Sequence, residues 1–411
     1  MDKINKAEDK IIFVVVHPYA LRDHKRFGAA YLMEQGYNVE IWRIMDSKSV
    51  SMDFSAGMYE GKGYRELSQN EYINELKSTR DKAFFIFQGK PDPIYPAAKM
   101  GCRYVIMNGM CAVPVPDPED RSVLNIPAEG GIESRLQRLC SSGITGYIKS
   151  YIHSRLTRKK RENLTEKTPP ALVVSSTHCA AKQYLTDKEL SGNVLYTHAL
   201  DYDRFIEANR ADSDRTARHI VYCDGQMFVK GYDAVILGIE GDAYKRAKEY
   251  YSQLEKLFER LEEHYGLPVV IAGSPHLKYD GDSFCGRKLY FNQTCELTRN
   301  AALFIVTTTT AMNFPALYDV PVLKIANSSL KTTPLGKYAD TYAYIKDEAD
   351  QIFGCGFLDL DDEDAMSHPW EYVKPMDRKK RDKFIEEYLI DNDTEDKTVM
   401  ECVEAYLCGR A

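Results

Sequence analysis

Short apolar runs alternate with longer segments of helical period along most of the chain. Ile11-Ile-Phe-Val-Val-Val16 is an unbroken apolar run that stops at His17-Pro18 and predicts a buried strand. Arg26–Gln35 has helical spacing and is stopped by Gly36. Val39–Arg43, Ala83–Phe87, Arg103–Met107, Leu172–Ser175 and Asn193–Tyr196 follow as further strands. Their hydrophobicity is continuous rather than alternating, which points to a parallel sheet covered on both faces. A second series starts near His219, with strands at Ile220–Cys223, Val269–Ala272, Lys288–Phe291, Leu303–Val306 and Val322–Ile325. Between them the spacing predicts a long charged helix over Tyr244–His264 and shorter helices over Thr294–Asn300 and Ala311–Tyr318. Lys379–Cys408 reads as two more helices.

The strand–helix alternation therefore occurs twice, and the expected fold class is α/β with two doubly wound domains. The length of 411 residues agrees, since domains run to roughly 100–200 residues each. Arg158–Arg161 and Lys167–Pro170 look like a linker, but the strands beyond them are expected to return to the first sheet. The boundary is placed in the polar stretch Glu207–Asp214, with an N-terminal domain over 1–208 and a C-terminal domain over 209–411 that includes the last helices.

Charge and cysteine content narrow the function. Fifty-four Lys and Arg against 61 Asp and Glu leave a net charge of −7, which argues against a general nucleic-acid coat. Ten cysteines contain no CxxC pair, so neither a structural zinc site nor a disulfide framework is expected. Met1–Lys10 is polar and charged, without the apolar core of a secretory signal. No apolar stretch approaches the ~20 residues of a membrane span. The expected location is the reducing cytoplasm. The basic run Arg158, Lys159, Lys160 and Arg161 suits either contact with anionic lipid headgroups or plain solvation.

Several motifs are missing. There is no GxGxxG after the first strand, no GxxxxGK[ST], no GxSxG and no HExxH. Dinucleotide binding, NTP-driven work and the familiar hydrolases lose ground accordingly.

Four places could carry chemistry. Gly273-Ser-Pro-His276 follows the strand Val269–Ala272, and ligands of open α/β sheets collect at the carboxyl ends of strands. Gly273, Ser274 and His276 could hold a phosphate there, or form an ordinary turn. Thr307, Thr308, Thr309 and Thr310 follow the strand Leu303–Val306 and open a helix, with Asn313 one turn in. Hydroxyls and free amides at such a point either cap the helix or bind an anion. In the first strand-to-helix loop, His17 or Asp23 could act as a base and Arg22 could hold an anionic acceptor; the same charges also suit an exposed helix start. Glu129, beside Gly130-Gly131 in a Pro-rich loop, is a third candidate base, or a solvated carboxylate in a glycine turn.

Taken in order, the motifs of the second half resemble a known group. Val269-Val-Ile-Ala-Gly-Ser-Pro-His276, Gly286-Arg-Lys-Leu-Tyr290, Thr294-Cys-Glu-Leu297, Thr307–Thr310 and Asn313-Phe-Pro-Ala-Leu317 resemble bacterial surface- and capsular-polysaccharide glycosyltransferases of GT-B type. That group includes relatives of sialyl- and Kdo-transferring enzymes. Asp201-Tyr-Asp203 and Tyr222-Cys-Asp224 also fit it, and the resemblance is clearest over His198–Asn327. It implies two facing Rossmann-like domains with a cleft between them, the C-terminal one holding a nucleotide-sugar donor, among them CMP-linked sugars. The N-terminal domain would hold a glycan or lipid-linked glycan acceptor and the base. Gly273, Ser274, His276, Arg287, Thr307–Thr310 and Asn313 would then bind the donor, with no metal and no cofactor beyond that co-substrate. Sialyltransferase-like members carry a His-Pro dipeptide where this chain has Ser274-Pro275, with His276 one place later. Two alternatives accompany the reading: a sugar-nucleotide epimerase on the same paired domains, which needs no acceptor, and a non-catalytic nucleotide- or glycan-binding partner.

Overall fold

The apolar runs become strands of two sheets in which every strand-to-strand ladder is parallel. The computed structural model describes residues 9–45, 58–88, 93–108, 110–111, 114, 163, 166–211, 215–224, 243–274, 279, 283–332, 340–391 and 397–409. The first sheet comprises β1 (Lys10–Val15), β2 (Asn38–Ile44), β3 (Tyr64–Leu67), β4 (Ala83–Gln88), β5 (Arg103–Met107), β6 (Leu172–Ser175) and β7 (Val194–Tyr196). Their order is β3-β2-β1-β4-β5-β6-β7. The second comprises β8 (His219–Cys223), β9 (Val269–Gly273), β10 (Leu289–Phe291), β11 (Ala301–Val306), β12 (Val322–Ala326) and β13 (Gly356–Asp359), in the order β10-β9-β8-β11-β12-β13. In each sheet the chain winds outward one way, returns to the starting strand, and winds the other way. Each is thus a doubly wound, Rossmann-like sheet, with its switch point between β1 and β4 or between β8 and β11.

Burial on both faces explains the unbroken apolar runs. Ile11, Phe13 and Val15 of β1 face a core with Ala29, Leu32, Val399, Met400 and Val403, all buried. The alternate residues Ile12 and Val14 face a separate core with Tyr72, Leu76, Ala97 and Ala98. In the second sheet, Ile220, Tyr222, Val269 and Ile271 pack on Tyr250, Leu254, Leu257, Phe258 and Leu261 of the helix Ala243–Tyr265. That spacing of three and four is the apolar stripe of an amphipathic helix.

The described residues fall into two compact units. The first is drawn from Met1–Val113, Ile148–Arg204 and Glu386–Ala411, the second from Pro114–Tyr147 and Phe205–Ile385. The last segment therefore differs from the sequence expectation, which placed it with the C-terminal domain. Its physical tie to the first sheet is a set of specific bonds. Ala199 N–H donates to Leu389 O at 2.8 Å, and Val399 N–H donates to the Asp203 carboxylate at 3.1 Å. The hydroxyls of Tyr31 and Tyr37 both donate to Glu404, each at 2.8 Å. The division also falls inside the helix Leu200–Ala211, between Arg204 and Phe205, a few residues before the expected boundary.

The single helix expected over Arg26–Gln35 is two, Leu21–Arg26 and Ala29–Glu34, separated at Gly28 with φ of +77°. A Cβ on Gly28 would lie 2.5 Å from Met400 Cβ. Gly28→Ala is expected to destabilise the chain by roughly 2–3 kcal/mol, from left-handed strain plus a clash with the C-terminal helix. Urea unfolding checks this, and wild-type stability would argue against that helix lying on Gly28. Among the described residues no helix is long and apolar enough to cross a membrane, and none of the nine described cysteines is in a disulfide.

Candidate functional site

The strand register of the second sheet brings one row of residues level across four strands. Ala272 of β9 pairs Cys223 of β8, Cys223 pairs Val306 of β11, and Val306 pairs Lys324 of β12. Just past this row, at the carboxyl edge, stand Gly273 then Ser274, Asp224, and Thr307. Adjacent strands are about 4.8 Å apart, so these three positions span roughly 10 Å. They straddle the switch point between β8 and β11, where the two halves of the sheet leave a crevice.

Each side chain here has a traceable reason for its place. A Cβ on Gly273 would meet Leu289 Cδ1 at 2.7 Å and Tyr279 at 3.2 Å, so a larger residue there would require these side chains to shift. Ser274 N–H donates to Tyr279 Oη at 2.9 Å, and Tyr279 Oη donates to Asp224 at 2.8 Å. The Tyr222 hydroxyl reaches the other Asp224 oxygen at 3.4 Å and Tyr250 Oη at 3.3 Å. Burial, and then the Asp224 charge, push the Tyr279 phenol well above its usual value, so it stays a neutral donor. Burial likewise pushes the Cys223 thiol up to about 12, with Asp224 adding to it.

The four threonines divide the work. Thr307 is 1% exposed, and its Oγ1 has no hydrogen-bond partner. Its carbonyl accepts from the Lys324 ammonium at 3.0 Å. Thr308 is half-buried and Thr310 exposed. Thr309 caps the turn that follows: its Oγ1 accepts from Ala311 N–H at 3.2 Å. The helix expected over Ala311–Tyr318 is a 3-10 turn over Thr310–Met312 followed by the helix Asn313–Tyr318, which Asn313 opens fully buried. A buried hydroxyl without a partner is costly and rare, which singles out Thr307 at this edge.

Arg287 is not brought to this group. It precedes β10 and so lies at the amino edge of the parallel sheet. Its guanidinium donates to Glu262 at 3.1 and 2.7 Å and sits 5.2 Å from the Phe258 ring centroid. His276 and Glu129 lie outside the described residues, as does the basic run Arg158, Lys159, Lys160 and Arg161.

In the first unit, His17 follows β1 at the switch point and is edge-on to Phe27 at 6.1 Å. The Asp23 carboxylate is buried and accepts from Ala20 N–H at 3.0 Å, capping the helix Leu21–Arg26, and from Arg22 at 3.3 Å. Sequence alone cannot tell such a cap from a base. Two neighbours were not singled out from the sequence. The Tyr19 hydroxyl and His24 Nδ1 are both buried without a partner, and His24 stacks on Tyr59 at 4.0 Å. Burial lowers the His24 pKa and so favours its neutral ring. Among the described residues, no group of three or more His, Cys, Asp or Glu is placed to hold a metal ion.

No family model matches the sequence, and no curated protein matches it. Solved structures align with it at low identity. The wall teichoic acid polymerase TagF (H548A) aligns over 97% of this chain and 88% of its own, with a TM-score of 0.49 and 12% identity. The UDP-N-acetylglucosamine 2-epimerase from Rickettsia bellii aligns over 97% of each chain, with a TM-score of 0.46 and 12% identity. MurG from Acinetobacter baumannii aligns over 88% of this chain and 90% of its own, with a TM-score of 0.40 and 10% identity.

Proposed function

We propose that this chain is a metal-independent glycosyltransferase of surface-glycan assembly. It takes a sugar from a nucleotide-activated donor and passes it to a glycan or lipid-linked glycan acceptor. What supports the reading is the carboxyl edge of the second sheet, where Thr307 Oγ1 is buried and unpartnered at the switch point, one strand from Asp224 and two from Ser274. The donor's phosphates would be met by hydroxyls and amides of the Thr307–Ala311 turn, which can stabilise leaving-group charge without a metal. Asp224 would accept from donor hydroxyls rather than meet phosphate, because like charges repel. The acceptor would fall to the first unit; His17 and Glu129 stay candidates for the base, while Asp23 is engaged in its cap.

The test is nucleotide release from a panel of CMP-, CDP-, UDP-, GDP- and dTDP-sugars, with and without glycan acceptor. Release that depends on acceptor is the expected result. Donor converted to an epimer without acceptor would make it an epimerase instead, and an unreacted panel would sink the enzyme reading. Thr307→Val gives a second check, since it removes only the orphaned hydroxyl. Nucleotide affinity should fall about tenfold, ~1.4 kcal/mol, while the melting temperature holds or rises. Unchanged affinity would take Thr307 out of the site.

A further inference from the structure

Val322-Leu-Lys-Ile-Ala326 is a buried strand with a lysine at its centre. Lys324 is 0% exposed at its side chain, and its partner Glu348 is 1% exposed. The ammonium donates to Glu348 Oε2 at 2.6 Å and to the Thr307 carbonyl at 3.0 Å, and lies 5.5 Å from the Phe353 ring centroid. Glu348 itself opens the π-helical turn Glu348–Phe353, which follows the helix Thr341–Asp347. Such wide turns are rare and concentrate at functional sites.

Burying two charges is costly, and apolar residues of similar volume usually fill such a place at lower cost. Leu323 and Ile325, the strand neighbours of Lys324, lie in the core of this unit. What an apolar side chain could not do is grip the Thr307 carbonyl. That carbonyl belongs to the first residue past β11, where the strand ladder with β12 has ended at Val306. From that residue the chain turns directly into Thr308, Thr309 and the Thr310–Met312 turn.

We propose that Lys324 and Glu348 form a positioning pair: the ammonium, aimed by the carboxylate, fixes the Thr307 turn so that its hydroxyls and amides are held ready for a nucleotide phosphate. This rests on the reading above that the carboxyl edge of the second sheet takes a nucleotide. Neither residue touches the ligand; both act through the turn.

The test uses the full chain and calorimetric titration with CMP, CDP, UDP, GDP and dTDP. Lys324→Met plus Glu348→Leu removes both charges together, a change that buried pairs commonly tolerate in stability. For the nucleotide that the wild type binds, the pair variant is expected to bind about tenfold more weakly, with the melting temperature held. Amide exchange at Ala311 and Met312 should quicken in the same variant. Equal affinity in the two proteins overturns the positioning role and leaves the nucleotide site standing. A wild type that binds none of the panel removes that site, and the positioning claim with it. Should the first variant not fold, Lys324→Met plus Glu348→Gln removes the ammonium at nearly constant volume and is read in the same way. A pair that served only the fold would change the melting temperature and leave the affinity alone.

Discussion

Lys324→Met alone is expected to cost about 3–5 kcal/mol, because it leaves the Glu348 carboxylate buried without its counter-charge. Both side chains are essentially inaccessible, and they meet at 2.6 Å. The Thr307 carbonyl also loses its donor. Together these should lower the melting temperature by roughly 10 °C, at about 2–4 °C per kcal/mol for a unit of this size. Chemical denaturation of the single variant beside the double charge-removal variant separates two quantities. The single change measures the cost of an orphaned buried charge, and the double change measures what the pair adds over apolar packing. If the single variant lost less than about 1 kcal/mol, water would have to reach Glu348, and the buried-pair description would fail.

Gly356→Ala should be nearly as damaging, at ~3 kcal/mol. Gly356 begins β13 and pairs with Leu323 of β12. A methyl group there would run into the Tyr372 carbonyl oxygen and approach Leu323 Cδ1 at 3.2 Å. The first obstacle is backbone, so no rotamer change can relieve it, and the turn Pro369–Tyr372 would have to lift from the strand. Gly192→Ala is the natural control, because its nearest contact is an ordinary 3.4 Å, and it should stay within about 0.5 kcal/mol of wild type. Equal urea midpoints for the two variants would mean that the turn does not lie over β13.

The central strands were legible because both faces of each sheet are covered, so that β1, β4 and β11 read as unbroken apolar runs. The two missed strands, β3 and β13, each stand at a sheet edge. Their sequences, Tyr-Arg-Glu-Leu and Gly-Phe-Leu-Asp, are short and half polar, as edge strands tend to be. The break at Gly28 was hidden because the helical spacing continues across it, although its partner Met400 lies far along the chain. The same distance in sequence hid the home of the C-terminal helix. Its pattern shows a helix, but not that Glu404 will find Tyr31 and Tyr37.

Part of the candidate site's placement was legible. Ser274 and the threonine cluster stood out as polar residues directly after strands, and the register places them at one edge. Lys324 carried a signal in plain view, a charge inside an apolar strand, but its meaning depends on Glu348, 24 positions away. Asp23 shows the reverse case, a carboxylate in a promising loop that turns out to cap its own helix. Arg287 sits in a promising motif, yet the parallel sheet puts it at the opposite edge from Thr307.

The central claim is that the carboxyl edge of the second sheet takes the nucleotide. Amide hydrogen exchange of the full chain, with and without saturating nucleotide, tests it most directly, since a bound ligand slows opening where it contacts the chain. Slowed exchange is expected at Cys223–Asp224, Gly273–Ser274 and Thr307–Met312. Slowing confined to the first unit, or none with any nucleotide of the panel, would contradict it.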